Sequence, residues 1–274
     1  MLVIGVDRHQ RETVIEDAND EHAGEGALDA PGPAREADAA EQHSGQHVEL
    51  GAGKSTLIMI LAGAYDPTEG KILVRGVERV FSGPREASEA GIATVYQDLA
   101  LVETRDVAAN LFLGREYRKG LFVDRKRIYR EAQQILSGLT MRLPSVRVPI
   151  YLLSGGQRQA VAIGRVLVGG ADVIIMDEPT AALGVQESER VLQLVRDLRD
   201  SGKAVILISH NLQQVWQTAN RIMVMHLGKV AGMRVRAESS VDEIVKLIVY
   251  GSDDPEAQAE AEAVLPLPGA GIQE

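Results

Sequence analysis

A glycine-rich turn before an apolar helical segment is suited to hold phosphate. Gly51 and Gly53 let the backbone fold tightly enough to direct several amide N–H groups at one anion, and the helix adds the positive end of its dipole. Lys54 can reach the terminal phosphates of a nucleotide, and the Ser55 hydroxyl can ligate Mg²⁺ between them. An ordinary helix start is the alternative, because Val48 stands where the phosphate-loop pattern has its first glycine.

Polar side chains also follow two apolar runs that we expect to be buried strands. Asp177 and Glu178 come directly after Val173–Met176, and His210 follows Val205–Ile208 after one serine. Open α/β sheets hold ligands at such strand ends, so Asp177 would lie near Mg²⁺ and Glu178 would polarise the water that attacks the γ-phosphate. A neutral imidazole at His210 can hydrogen-bond a phosphate oxygen or that water. Taken singly, a solvated acidic turn and a structural histidine are the alternatives.

Gln97 follows a third strand candidate, Ile92–Tyr96. Its amide oxygen can ligate Mg²⁺ while its NH₂ group orients water, although a surface glutamine is the alternative. The apolar residues after it form core, a groove for a partner's helix, or, as we expect, a mixture of the two: Leu99, Ala100, Leu101, Val102, Leu111, Phe112 and Leu113.

Residues 153–159, Leu-Ser-Gly-Gly-Gln-Arg-Gln, form a second candidate anion site. Ser154, Gly155 and Gly156 open an amphipathic helix with exposed amide groups and a hydroxyl. One chain does not need two γ-phosphate sites. We therefore expect this segment to close over the nucleotide of another subunit, with two chains packed head to tail around two ATP molecules.

The elements that must position these residues are predicted by periodicity. From residue 47 onward, apolar runs alternate with amphipathic helical patterns, which predicts an α/β fold with a largely parallel sheet. The predicted strands are His47–Leu50, Ile72–Arg75, Ile92–Tyr96, Val173–Met176, Val205–Ile208 and Ile222–Met225, with a hairpin strand within 65–79. The predicted helices are Ser55–Ala64, Arg125–Ser137, Gly156–Val168, Glu187–Ser201 and Val241–Val249.

The two ends of the chain differ in composition from its centre. Residues 1–46 and 251–274 are rich in Asp, Glu, Ala, Gly and Pro, and we expect most of them to be disordered. Within them only Met1–Val6 could form a short strand, and a flexible terminus is the alternative there. A net charge of -10 argues against a nucleic-acid surface, and the absence of cysteine excludes disulfides and thiolate metal sites. The longest apolar runs are shorter than the roughly 18 residues of a membrane span.

The motifs described above, in their order along the chain, resemble the ATPase subunits of ABC transporters. The resemblance covers about residues 48–250 and implies a P-loop NTPase fold with a mostly parallel sheet and an incomplete N-terminal antiparallel β region. It also implies a helical subdomain at about 98–168, which carries the family's signature motif at residues 154–157. A narrower similarity, to ribose-, xylose- and fructose-type sugar importers, lies in residues 95–102, 110–116, 181–187 and 209–216.

The resemblance also implies the roles of individual residues. It implies that Glu178 is the catalytic base and His210 the switch histidine, with Lys54 and Gln97 completing the catalytic set. It implies Mg²⁺ ligation by Ser55, Gln97 and Asp177, and a dimer-crossing loop at 181–184. The implied nucleotide-binding residues are Gly51, Ala52, Gly53, Lys54, Ser55, Thr56, Ser154, Gly155, Gly156 and Gln157.

The resemblance further implies what the chain works with. The implied cofactors are ATP and Mg²⁺, and the implied partners are a membrane permease, a second ATPase subunit and, indirectly, a secreted sugar-binding protein, with no nucleic acid. We expect an importer ATPase on the inner face of the cell membrane, powering monosaccharide uptake.

The start of the chain departs from the family pattern. No Tyr, Trp or Phe precedes Tyr65, so the family's adenine-stacking aromatic, worth on the order of 1 kcal/mol, has no counterpart there. We hypothesise that the first 48 or so residues are not the family's own N-terminus. The alternatives are a catalytically impaired ABC-like protein or a non-transport ABC ATPase. The second lacks support, since we find neither a heptad-rich insertion nor a second ATPase unit with a basic linker.

Overall fold

The computed structural model describes residues 15–16, 53–139 and 143–252. The strands are β1 Ile15–Glu16, β2 Lys71–Val74, β3 Val77–Arg79, β4 Ile92–Val95, β5 Arg118–Lys119, β6 Phe122–Val123, β7 Val173–Asp177, β8 Ala204–Ile208, β9 Arg221–His226 and β10 Lys229–Val235. The helices are α1 Lys54–Leu61, α2 Pro84–Glu89, α3 Val107–Leu111, α4 Arg125–Ser137, α5 Gly155–Val168, α6 Val185–Asp200, α7 Leu212–Thr218 and α8 Val241–Tyr250. Within these described ranges, no helix is long and apolar enough to cross a membrane.

A parallel sheet of order β4-β7-β8 forms the centre of the described part of the chain. The middle strand is apolar at four successive positions, and Ile174, Ile175 and Met176 are fully buried, as expected for a strand covered on both faces. Because the strands are parallel, their carboxyl ends lie at one edge of the sheet. The predicted α/β fold with a parallel sheet is confirmed.

Alternate side chains of β7 point to opposite faces of the sheet and into different clusters. Ile174 and Met176 pack in one cluster with buried residues of α5 and α6. Val173 and Ile175 pack in a second cluster with Ile58 and Leu61 of α1. The helices α1 and α5 are therefore on opposite faces of the sheet.

A helical layer made by α3, α4 and α5 has its own apolar core, which includes Leu111, Phe112 and Ile150. Asn110 is buried in α3 and fastens the preceding loop: its Oδ1 accepts from the Val102 backbone N–H at 2.7 Å, and its Nδ2 donates to the Val102 carbonyl at 3.1 Å. The sequence left open whether the apolar residues at 99–113 form core or a groove for a partner. Leu111 and Phe112 are buried and belong to the core, whereas Leu113 is half exposed.

The described residues also form three antiparallel sheets, one of which is the small hairpin of β5 and β6. The strand order β1-β2-β3 includes the hairpin predicted within residues 65–79, and β9 pairs with β10 beneath α8. Each predicted strand and helix within the described residues is present. Each end lies within two residues of the prediction, except the end of α1, which comes three residues earlier. His47–Leu50 and Met1–Val6 lie outside the described residues, and the domain boundaries at 1–46, 47–250 and 251–274 stay predictions.

Candidate functional site

The phosphate-loop candidate leads into α1 through a left-handed glycine. Gly53 is the N-cap residue with φ 82°, and no side chain caps the helix, so its first amide N–H groups are available to an anion. A Cβ atom at Gly53 would also lie 3.0 Å from Gly228 Cα and 3.1 Å from Met225 Cε. Both the dihedral angle and the space favour glycine here. Gly51 and Ala52 lie outside the described residues.

The side chains that follow Gly53 differ in exposure. Lys54 is partly buried, whereas Ser55 and Thr56 are exposed. Two hydroxyls on the first turn of an uncapped helix form a surface that fits a polyphosphate with its bound cation.

Asp177 is the last residue of β7, and the charges of Glu178 and Lys54 both affect the pKa of its carboxyl. Burial raises the pKa of its carboxyl above the ordinary value, and the negative charge of Glu178 raises the pKa further, while the positive charge of Lys54 lowers it. Because the charge of Lys54 acts on this carboxylate, the first residue of α1 lies near Asp177. A divalent cation would offset the cost of ionising Asp177 by stabilising the charged carboxylate. The carboxylate oxygens of Asp177 therefore fit a Mg²⁺ ion.

Glu178 and His210 contact each other across the edge of the sheet. The distance from His210 Nδ1 to Glu178 Oε1 is 2.9 Å, and the exposed fraction is 15% for the Glu178 side chain and 74% for His210. Glu178 has φ 47°, and its backbone N–H donates to the Ile208 carbonyl of β8 at 2.9 Å. The carboxylate is thus held against an imidazole that faces solvent.

The segments that carry these two residues are joined by hydrogen bonds that sequence reasoning did not find. Thr180 Oγ1 donates to Gln214 Oε1 at 2.6 Å, and the Gln214 backbone N–H donates to Asn211 Oδ1 at 3.1 Å. The Asn211 backbone N–H in turn donates to Ser209 Oγ at 3.1 Å. The loop after Glu178 and the loop around His210 therefore form one connected unit. Only the capping asparagine before α7 gives a sequence signal for it.

Gln97 is exposed and comes two residues after the end of β4. Since Val95 of β4 is in register with Met176 of β7, Gln97 lies at the same edge of the sheet as Asp177. The structure thus brings Lys54, Gln97, Asp177, Glu178 and His210 to that edge.

The signature segment lies elsewhere. Ser154 caps α5, its hydroxyl accepting from the Gln157 backbone N–H while Gln157 Oε1 accepts from the Ser154 N–H. A Cβ atom at Gly155 would lie 2.5 Å from Leu183 Cδ2, so the loop at 181–184 packs against this helix end. Because α5 and α1 cover opposite faces of the sheet, the two anion motifs of one chain are set apart.

Comparisons with known proteins agree with this geometry. Residues 49–181 match the family model described as ABC transporter. The chain is 41% identical over 198 residues, 72% of this chain and 79% of the relative, to a xylose/arabinose import ATP-binding protein of Sulfolobus acidocaldarius. The chain belongs to the ABC transporter family. As a member, it is an ATPase of the ATP-binding cassette class.

Other relatives and solved structures support the same assignment. A fructose import ATP-binding protein of Rhizobium meliloti is 46% identical over 65% of this chain and 72% of its own length. A ribose import ATP-binding protein of Yersinia pestis is 39% identical, and this chain spans only 39% of that protein. A dimeric ATP-binding cassette in a post-hydrolysis state, bound to ADP and phosphate, superposes with TM-score 0.56 at 26% identity, covering 68% of this chain and 81% of that one.

Proposed function

We propose that this ABC ATPase is the energising subunit of an importer that moves a monosaccharide through a separate membrane permease. The observation that carries the proposal is the contact between Glu178 and His210 at the strand edge beside the phosphate loop. The names of the relatives, which are importers of xylose or arabinose, fructose and ribose, support a pentose or hexose as cargo. On this proposal the chain lies at the inner face of the membrane, held there by the permease.

The phosphate end of the nucleotide is bound by the first turn of α1. The amide N–H groups that begin with Gly53 hold the phosphate oxygens, and Lys54 neutralises the β- and γ-phosphates. Gly51 and Ala52 complete this loop, and Thr56 adds a hydroxyl.

Magnesium would be held by Ser55, Gln97 and Asp177, where it would neutralise charge that develops on the phosphates. Among these ligands, Asp177 supplies the negative charge. Lys54 stabilises the ionised form of that carboxylate before the cation arrives.

Hydrolysis would proceed on the same edge. The Glu178 carboxylate accepts a proton from the attacking water, and His210 holds that carboxylate or hydrogen-bonds the γ-phosphate. Because His210 faces solvent, it can exchange one partner for the other when a nucleotide enters. The chain of hydrogen bonds from Thr180 to Ser209 keeps the loop after Glu178 and the loop around His210 in a fixed relative position while this exchange occurs.

The signature would act on the nucleotide of a second ATPase subunit. Ser154, Gly155, Gly156 and Gln157 start a helix on the face of the sheet that does not carry α1, so they cannot close over the same phosphates within one chain. A head-to-tail pair places each signature on the partner's phosphate loop. Closure of the pair on ATP and its reopening after hydrolysis would drive the permease, which receives sugar from a secreted binding protein.

Steady-state ATP turnover of the purified chain tests this function. We expect Glu178→Gln to lower the rate about 100-fold or more, since removal of a general base costs that order of magnitude. Glu69→Gln changes an exposed glutamate in the loop before β2 and is the matched control, expected to keep the wild-type rate. Equal background rates for wild type and Glu178→Gln would contradict the proposal and support a catalytically impaired ABC-like protein.

A further inference from the structure

The hairpin formed by β5 and β6 projects apolar side chains into solvent. Leu121 is 97% exposed, Phe122 79% and Val123 49%, the highest combined exposure of successive large apolar residues in the described part of the chain. In a water-soluble subunit such a cluster is unfavourable unless another surface covers it.

The hairpin is firmly rooted and therefore presents its tip in a fixed direction. At its base the Asp124 backbone N–H donates to the Tyr117 carbonyl at 2.8 Å, and Asp124 caps α4. The centre of the Tyr117 ring lies 5.3 Å from the centre of the buried Phe112 ring, and the Arg127 guanidinium carbon lies 3.8 Å from the centre of the Tyr117 ring. Gly120, with φ 63°, permits the two-residue turn.

The segment that carries the apolar tip is rich in positive charge although the chain as a whole is acidic. Residues 115–131 contain seven Lys and Arg and three Asp and Glu, in a chain of net charge -10. Lys119 is directly opposite Phe122 in the hairpin. Within the described residues, Arg118, Lys119 and Lys126 are exposed and take part in no ion pair.

We propose that this hairpin inserts Leu121 and Phe122 into an anionic lipid bilayer, with the neighbouring lysines and arginines on the headgroups. An exposed apolar tip beside exposed cations matches the depth profile of such a surface, with acyl chains below charged phosphates. A protein partner fits less well, because a stable interface buries roughly 800 Å² on each side and the convex tip offers two or three side chains.

The position of the hairpin makes lipid contact independent of the nucleotide. Three residues before it, Arg115 donates to Ser88 Oγ at 3.1 Å, and Ser88 precedes the amino end of β4. The hairpin therefore begins near the edge of the sheet opposite Asp177. Binding of this tip to lipid does not require ATP hydrolysis, so it can succeed or fail separately from the function proposed above.

The cysteine-free chain allows a site-specific test. A single cysteine is introduced at Leu121 and labelled with a polarity-sensitive dye. The control is Val80→Cys, labelled in the same way, because Val80 is another apolar residue with high exposure, 81%, and it follows β3. Both proteins are mixed, without nucleotide, with protein-free vesicles of phosphatidylcholine alone or with phosphatidylglycerol. We expect a blue shift of the dye at position 121 on the anionic vesicles and none at position 80.

The cations are tested in the same assay. Arg118→Ser with Lys119→Ser should weaken binding to the anionic vesicles about 30-fold, since each basic side chain near such a surface contributes about a factor of five. The proposal is overturned by the absence of a shift at position 121, by equal shifts at both positions, or by a shift that requires permease in the vesicles. The last outcome would assign the hairpin to a protein contact.

Discussion

Glu178 is held in an uncommon backbone conformation for a non-glycine residue, with φ 47°. Such a conformation costs of order 1–3 kcal/mol and persists only where the surroundings impose it. Here a backbone hydrogen bond to Ile208 and the contact with His210 fix the residue from two sides. The carboxylate is thus held in a fixed orientation, as the proposed role of general base requires.

Asp177 is expected to destabilise the nucleotide-free protein at neutral pH. Its pKa is raised in the folded state by burial and by Glu178, so its contribution to stability is present below the unfolded pKa and is lost as the pH rises through the folded one. We predict that Asp177→Asn increases the free energy of unfolding in urea at pH 7, and that the difference disappears below about pH 3.9.

Lys54→Met should change the free energy of unfolding in the opposite direction to Asp177→Asn. Lys54 lowers the pKa of Asp177, so its removal should decrease stability at neutral pH without nucleotide. A lower stability of Asp177→Asn at pH 7 would contradict this electrostatic account.

At the scale of elements, the loops after β7 and β8 act as one unit through Thr180 and Gln214. Thr180→Val should destabilise the protein by about 1–2 kcal/mol, because it leaves the partner amide without its hydrogen bond. ATP turnover should fall as well, since Glu178 and His210 lose their fixed relation. Thermal or urea unfolding together with the turnover assay measures both effects.

Thr218→Val is the matched control on the same helix as Gln214. The Thr218 side chain is 4% exposed, and its Oγ1 has no hydrogen-bond partner. Replacing this unpaired hydroxyl by a methyl group should leave stability unchanged or raise it. If both valine substitutions had the same effect, the hydrogen bond between the two loops would have no special role.

Long elements were predictable because their patterns are strong. The helix Arg125–Ser137 has the predicted ends, and the apolar run of β7 is buried on both faces as expected, whereas Ile206 in β8 is only partly buried. Short elements such as α2, α3 and the hairpin of β5 and β6 span two to six residues, too few to show a period. Their positions depend on capping and on tertiary contacts such as those of Asp106 and Tyr117.

The candidate site was predictable at the level of residue types and strand ends. Asp177, Glu178 and His210 lie at one sheet edge because parallel strands end together. The direct contact of Glu178 with His210 and the bond from Thr180 to Gln214 depend on side-chain conformations, which spacing along the chain does not determine.

At the scale of the whole molecule, the phosphate loop and the signature belong to different faces of one sheet. This separation supports the proposed pair of chains that share two nucleotides. Two inactive variants can test it, since Lys54→Ala removes a phosphate-loop function and Ser154→Arg obstructs a signature.

The most direct measurement is the ATP hydrolysis rate of these two variants, alone and mixed. Each alone should be inactive. In a head-to-tail pair formed from one copy of each, one site combines an intact phosphate loop with an intact signature, so an equal mixture should recover up to about a quarter of the wild-type rate. A mixture that stays at the background of the separate variants, while both remain folded, would contradict the claim that each site is built from two chains.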